Sequence, residues 1–248
     1  MRPILFTWRG RRVYSYPAML YVGIVLGIVA GDYVSNLAGL NSARVYVALL
    51  VLTLTTIVGA RLLHVLTHRQ SYGSDFRSVW RTSQGGASMQ GGFLLSLVVD
   101  VPLLALLRIP MDEFADVAIF ALLVTMMFGR IGCAFHGCCG GRPSTGFCAL
   151  RMRDYRGIVS RRIPTQFLEA GLAALILVAA AGMWTRRPFD GSLFLGSLIA
   201  YNAARLFLQP LRDTQDRFGR FNVQQAVAAT IAVLGMTVFL GVWRTSLW

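Results

Sequence analysis

The sequence predicts an all-α polytopic membrane protein, with about seven transmembrane helices and two long connectors that cover a site. Three observations carry that prediction. Of 248 residues, 55% are hydrophobic and only 14% charged, with a mean hydropathy of +0.58, outside the range of an ordinary soluble domain. Apolar runs long enough to cross a hydrocarbon core of about 30 Å recur along the chain. The arginines collect in the segments between those runs.

Taken in order, the first span is expected over Pro17–Leu37, after a start interrupted by Arg2, Arg9, Arg11 and Arg12. The second covers Arg44–Leu66, the third Gly91–Leu107 and the fourth Asp112–Phe128. The last three cover Thr165–Trp184, Asp190–Leu208 and Asn222–Trp243. Each approaches the ~20 residues that a tilted helix needs, with the third and fourth at the short end. The long connectors are Thr67–Gln90 and Gly129–Pro164. Their glycine pairs, Gly85-Gly86, Gly91-Gly92 and Gly140-Gly141, suit tight turns or re-entrant backbone enclosed by protein. With no internal repeat or low-complexity linker, residues 1–248 are read as one integral membrane domain.

The formal net charge of +13 comes entirely from arginine, because the sequence contains no lysine. Guanidinium groups keep their charge when partly desolvated and grip phosphate or carboxylate with two donors at once. Arginines in short connectors argue against a nucleic-acid partner and for anionic lipid in the bilayer. Charge does not choose the orientation. Most connector arginines share a side with both long connectors, yet Arg186 and Arg187 sit opposite in a very short one. Asp32, Asp100, Glu169, Asn202 and Arg205 lie within spans, where polar groups are costly and invite a functional reading.

The most informative stretch runs from Gly129 to Ser144. It holds two arginines, five glycines, three cysteines and a histidine directly behind an apolar span. Glycines allow close approach of backbone to a ligand, and arginines supply fixed positive charge, a pairing suited to a phospholipid head group. Cys133, Cys138, Cys139 and Cys148 lie in this connector with His136 among them. They are open to three readings: a disulfide on an oxidising face, a zinc site despite a non-standard ligand spacing, or a catalytic thiol beside arginines.

Gly129-Arg130-Ile131-Gly132, the later glycines with Arg142, and Pro164-Thr165-Gln166-Phe167-Leu168-Glu169 together resemble the prolipoprotein diacylglyceryl transferases of bacteria. Gly85 to Gly92 is similar to that family's histidine-bearing Gly-rich loop, Tyr16 falls where it has a tyrosine before the first span, and Arg205 through Arg212 matches its paired-arginine stretch. Gln225 matches its Gly-Gln at the last span. The order of these elements agrees over nearly the whole chain.

The resemblance implies seven spans in the bacterial cytoplasmic (inner) membrane. It also implies transfer of a diacylglyceryl group from phosphatidylglycerol to a prolipoprotein cysteine, with glycerol phosphate leaving and no cofactor or metal. It assigns catalytic roles to Arg130, Arg212, His136, Gln90 and Tyr16. Substrate binding falls to Gly129, Gly132, Cys133, Gly137, Gly141, Arg142, Gln166, Glu169, Arg205 and Gln225. The departures are specific. Gln90 stands in place of the family's histidine, and Cys133, His136 and Cys138 in place of two asparagines and a glutamate. Gln209 replaces a glutamate between the arginines. His136 is the candidate substitute for the missing base. A different acceptor, or lipid binding without chemistry, are the rival functions.

Overall fold

The computed structural model describes residues 4–8, 11–67, 89–154, 157–213, 217–218 and 221–246. Seven long helices lie among them: α1 Ser15–Leu37, α2 Ser42–Thr67, α3 Met89–Leu107, α4 Met111–His136, α5 Thr165–Met183, α6 Ser192–Leu208 and α7 Val223–Ser246. Five are long and apolar enough to cross a membrane, and Gly91–Leu107 is a shorter apolar helix. The chain is thus an all-α polytopic membrane protein. At 17 residues, or about 26 Å, α6 falls short of a full crossing and carries Asn202 and Arg205 on a buried face.

Among the described residues, three antiparallel two-stranded hairpins join or precede the helices: β1 Ile4–Trp8 with β2 Arg11–Tyr14, β3 Leu150–Arg153 with β4 Val159–Arg162, and β5 Arg217–Phe218 with β6 Phe221–Asn222. The amino-terminal hairpin was not expected. Its strands are only four or five residues long, too short for their alternation to mark them in the sequence.

Packing divides the chain into two compact units. In the unit Asp32–Phe114, α2 and α3 lie antiparallel at unusually short range. A Cβ on Gly59 would stand 2.3 Å from the Gly91 carbonyl oxygen, and one on Gly92 would stand 2.8 Å from that of Thr56. The Gly91-Gly92 pair therefore serves a helix crossing, not a turn, which corrects the expectation for that pair. The close contact suits helices that gain little from hydrophobicity in lipid and must rely on van der Waals packing. At the other end, Arg44 Nη1 donates to the Leu107 carbonyl at 3.2 Å. Asp32 accepts from the Ser42 hydroxyl, so it organises the α1–α2 turn. Asp100 is 7% exposed, and neither carboxyl oxygen has a hydrogen-bond partner among the described residues. Gly85, Gly86 and the rest of that loop up to Ser88 lie outside the described residues.

In the unit Met1–Gly31 with Ala115–Trp248, α4 is the central helix. Val117, Leu123 and Ala134 on it are almost fully buried. Gly23 and Gly27 of α1 admit α4 closely: Thr125 Oγ1 donates to the Gly23 carbonyl at 3.1 Å. A Cβ on Gly27 would stand 2.6 Å from the Ala121 oxygen. One turn from its start, α4 offers fully buried Asp116, whose oxygens accept the Gly191 and Phe194 amides, each at 2.9 Å. These free amides open α6, and the carboxylate satisfies them from a neighbouring helix. Arg187, 3.9 Å from Asp116, also lies over the Trp184 ring at 4.7 Å.

The expected fourth span ended at Phe128, but α4 runs on to His136. Gly129-Arg130-Ile131-Gly132 is helix, not connector. Its glycine is there for packing: a Cβ on Gly132 would sit 3.0 Å from Met19 Cβ and 3.3 Å from the Tyr16 oxygen.

Candidate functional site

Because α4 continues past Phe128, Arg130 leaves the central helix inside the packed unit rather than in a loop. Helix α5 begins directly after Pro164, and Gln166 and Glu169, three apart, share its buried face. Helix α6 contributes Ser197, Tyr201 and Arg205 at four-residue spacing, all buried. A single 3₁₀ turn, Gln209–Leu211, ends α6 and hands the chain to Arg212 in an extended conformation. Segment 140–144 then threads between the end of β4 and this turn. Gly141 donates to Ile163 at 3.1 Å, Arg142 to Leu211 at 2.9 Å, and Asp213 to Gly140 at 3.1 Å. Only glycine fits at 141, since a Cβ there would stand 2.4 Å from the Ile163 oxygen.

These elements bring two guanidinium groups to one carboxylate. Arg130 Nη2 lies 2.7 Å from Glu169 Oε2, and Arg212 Nη1 lies 3.5 Å from Oε1. Glu169 is 2% exposed, with side-chain exposures of 15% for Arg130 and 8% for Arg212. Arg130 also donates to the Tyr201 hydroxyl at 3.4 Å. Two cations around one anion leave a net positive, weakly hydrated centre, the condition for holding a phosphate.

The cysteines form a second feature of the same site. The Sγ atoms of Cys133, Cys138 and Cys139 all lie within 4.8 Å of one another, and all four cysteines of the chain are free thiols. Gln166 Nε2 donates to the Cys138 carbonyl at 2.8 Å, and Thr165 Oγ1 to that of Cys139 at 3.2 Å. The thiols of Cys133 and Cys138 directed at Cys139, followed by the charges of Arg212 and Arg130, hold the Cys139 thiol well below its ordinary range. This trio is the group among the described residues with the donor atoms to hold a metal ion.

The remaining expected residues fall as follows. Tyr16 faces His136 with ring centroids 6.5 Å apart, and His136 Nδ1 is buried without a hydrogen-bond partner among the described residues. Gly129 packs loosely on Leu20. Gly137 takes φ +86°, and a Cβ there would stand 2.6 Å from the Arg153 oxygen. The Arg142 side chain is exposed, so this residue enters the site region through its backbone. Arg205 turns to Gln224 Oε1 at 2.9 Å, which Gln209 also reaches at 3.2 Å, rather than to Glu169. Gln225 donates to the Leu206 carbonyl at 3.2 Å. Gln90 is the second residue of α3, and its side chain lies outside the described residues.

Sequence reasoning missed Tyr201, Gln224 and Asp116. The four-residue polar spacing from Ser197 to Arg205 was the available signal for Tyr201. Nothing local distinguishes Gln224 from Gln225.

Residues 3–241 match the model of the prolipoprotein diacylglyceryl transferase family. Among similar proteins, a phosphatidylglycerol–prolipoprotein diacylglyceryl transferase of Tropheryma whipplei is 27% identical, the alignment covering 95% of this chain and 91% of the relative. Proteins of the same description from Clostridium tetani and Streptococcus pyogenes are 22% and 24% identical, covering 96% and 95% of this chain and 97% and 93% of theirs. The match spans every element that builds the arginine–glutamate cluster, and the chain belongs to the prolipoprotein diacylglyceryl transferase family.

Proposed function

We propose that this protein moves the diacylglyceryl group of phosphatidylglycerol onto the cysteine thiol of a prolipoprotein and releases glycerol phosphate. It does so as one multi-pass domain, residues 1–248, of the bacterial cytoplasmic membrane. The observation that carries the reading is the meeting of Arg130 and Arg212 on Glu169.

A thioether product requires sulfur to attack the glyceryl carbon while the carbon–oxygen bond to phosphate breaks. Negative charge then grows on the leaving phosphate, and two preformed cations are suited to meet it. Each such donor is worth about 3–4 kcal/mol in a water-poor site. Glu169 keeps Arg130 and Arg212 from being two unbalanced buried charges. Tyr16 and His136 stand at the end of α4, where His136 Nδ1 is available to take the thiol's proton. Gln90, which cannot act as a base, favours a second reading in which the acceptor is not a lipoprotein cysteine.

Purified protein incubated with acyl-labelled phosphatidylglycerol and a lipobox peptide tests this. The expected result is labelled peptide with stoichiometric glycerol phosphate, and a loss of at least about 100-fold in Arg130→Ala. Glycerol phosphate release without labelled peptide supports the second reading. Lipid binding without turnover overturns both, and wild-type rates in Arg130→Ala overturn the site.

A further inference from the structure

The chemistry proposed above needs a thiolate, yet Gln90 has displaced the histidine that the resemblance leads one to expect. The same chain gains sulfur where that resemblance carries amide and carboxylate groups, at Cys133 and Cys138, and adds Cys139. The backbone makes a cluster of them. Cys133 lies one turn after Arg130 on α4, and the helix closes beyond it, with Gly137 and Cys138 both donating to the Cys133 carbonyl at 2.9 and 3.2 Å. Gly137 at φ +86° and Cys139 at φ +58° then turn the chain back. A cysteine in the left-handed region is unfavourable, so this placement of its sulfur is maintained by its surroundings. The carbonyls of Cys138 and Cys139 are tied to Gln166 and Thr165.

From this geometry we infer that Cys133, Cys138 and Cys139 form a zinc site of three thiolates whose open fourth position binds the acceptor cysteine. Three sulfurs each about 2.3 Å from a tetrahedral zinc lie roughly 3.8 Å apart. The observed mutual spacing, within 4.8 Å, needs less than about 1 Å of contraction. The charges also balance. Zinc with three thiolates carries one negative charge, while Arg130, one turn before Cys133, and Arg212 with Glu169 leave one positive. Three protein ligands with one place open is the arrangement of a catalytic zinc rather than a structural one.

The inference rests on the proposed transfer for its purpose, but not for its ligands. The acceptor thiol binds zinc as thiolate and loses its proton to solvent, so on this route His136 is not required as the base. Its sulfur then attacks the glyceryl carbon, forming the carbon–sulfur bond as the carbon–oxygen bond breaks. The electron pair leaves on the phosphate oxygen beside the arginines, and that oxygen takes up one proton from solvent. The neutral thioether binds zinc weakly and departs.

The test uses full-length protein stripped with a chelator and titrated with Co²⁺ as a spectroscopic substitute for zinc. The expected result is one Co²⁺ per chain with thiolate charge-transfer bands, tetrahedral visible bands, and displacement by Zn²⁺. Groups lying behind metal ligands are already worth about 10–100-fold in affinity, so Cys133→Ser, Cys138→Ser and Cys139→Ser each lose at least that much. Cys148→Ser, at an exposed position, binds as the wild type does. A lipobox peptide shifts the cobalt bands toward a four-thiolate spectrum, and the same peptide with serine for cysteine does not.

Absence of thiolate charge transfer in the wild type, which needs no variant to fold, overturns the site. Unchanged bands with the cysteine peptide overturn the open position. Full turnover by the stripped protein overturns the metal's part while leaving the transfer reaction standing. A loaded protein with the expected spectra and no transfer supports the metal site and overturns the proposed function instead.

Discussion

Glu169→Gln keeps the length and shape of the side chain and deletes one charge, which isolates what the carboxylate does for its two arginines. At an effective dielectric of 20, the 2.7 Å contact with Arg130 corresponds to about 6 kcal/mol of attraction and the 3.5 Å contact with Arg212 to about 5. Desolvation of all three groups offsets much of this. What remains measurable is the penalty of leaving partners buried and uncompensated, about 3–5 kcal/mol for one broken buried pair. The 15% exposure of Arg130 argues for the lower end of that range. For a chain of 248 residues, about 2–4 °C of melting temperature per kcal/mol gives an expected loss of about 6–20 °C. The assay is thermal unfolding of detergent-solubilised protein by tryptophan fluorescence. A double-mutant cycle with Arg212→Gln is expected to show coupling above about 1 kcal/mol, because removing the second cation relieves the first. A wild-type melting temperature with coupling near zero would refute the reasoning, since the carboxylate would then be dispensable to the cluster.

Two further substitutions probe how the fold positions that cluster. Asp116→Ala strips the Gly191 and Phe194 amides of their acceptor and is expected to cost about 2–3 kcal/mol, read as faster amide exchange at the start of α6. Exchange unchanged over residues 191–194 would show that the cap is not needed. Gly59→Ala forces a Cβ to within 2.3 Å of the Gly91 oxygen and is expected to lose stability. Overpacking of about 1–3 kcal/mol there outweighs the roughly 1 kcal/mol that alanine gains in helix propensity. Gly196→Ala, with nothing within 4 Å of its added Cβ, is the matched control and is expected to hold or gain stability in the same melting assay. Equal shifts in the two would mean that the α2–α3 crossing is looser than its geometry.

How much of this was legible in the chain differs between its parts. The helices were, because a run of apolar residues has one stable arrangement in lipid and its length bounds the crossing. Composition ends the fourth span at Phe128, although the helix does not stop there. Glycine and arginine in Gly129–Gly132 read as a loop in composition, whereas the helix continues there and Gly132 lets α1 approach. Arg130, Glu169 and Arg212 were each identifiable by type and motif, whereas Tyr201 is marked only by the four-residue polar spacing from Ser197 to Arg205. Gln224, which accepts from Arg205, carries no local mark that sets it apart from Gln225.

By itself, then, the sequence determined the solvent this protein lives in, the order of its helices and the family of its motifs. Those properties follow from hydropathy and residue type, which are additive along a chain. Tertiary structure decided which charges meet: two arginines 82 positions apart in the sequence share Glu169, and three sulfurs gather around a left-handed cysteine. Such meetings depend on helix phase, on which glycines admit a neighbour, and on where a turn reverses. Each is a property of packed pairs, and no single stretch of sequence contains it.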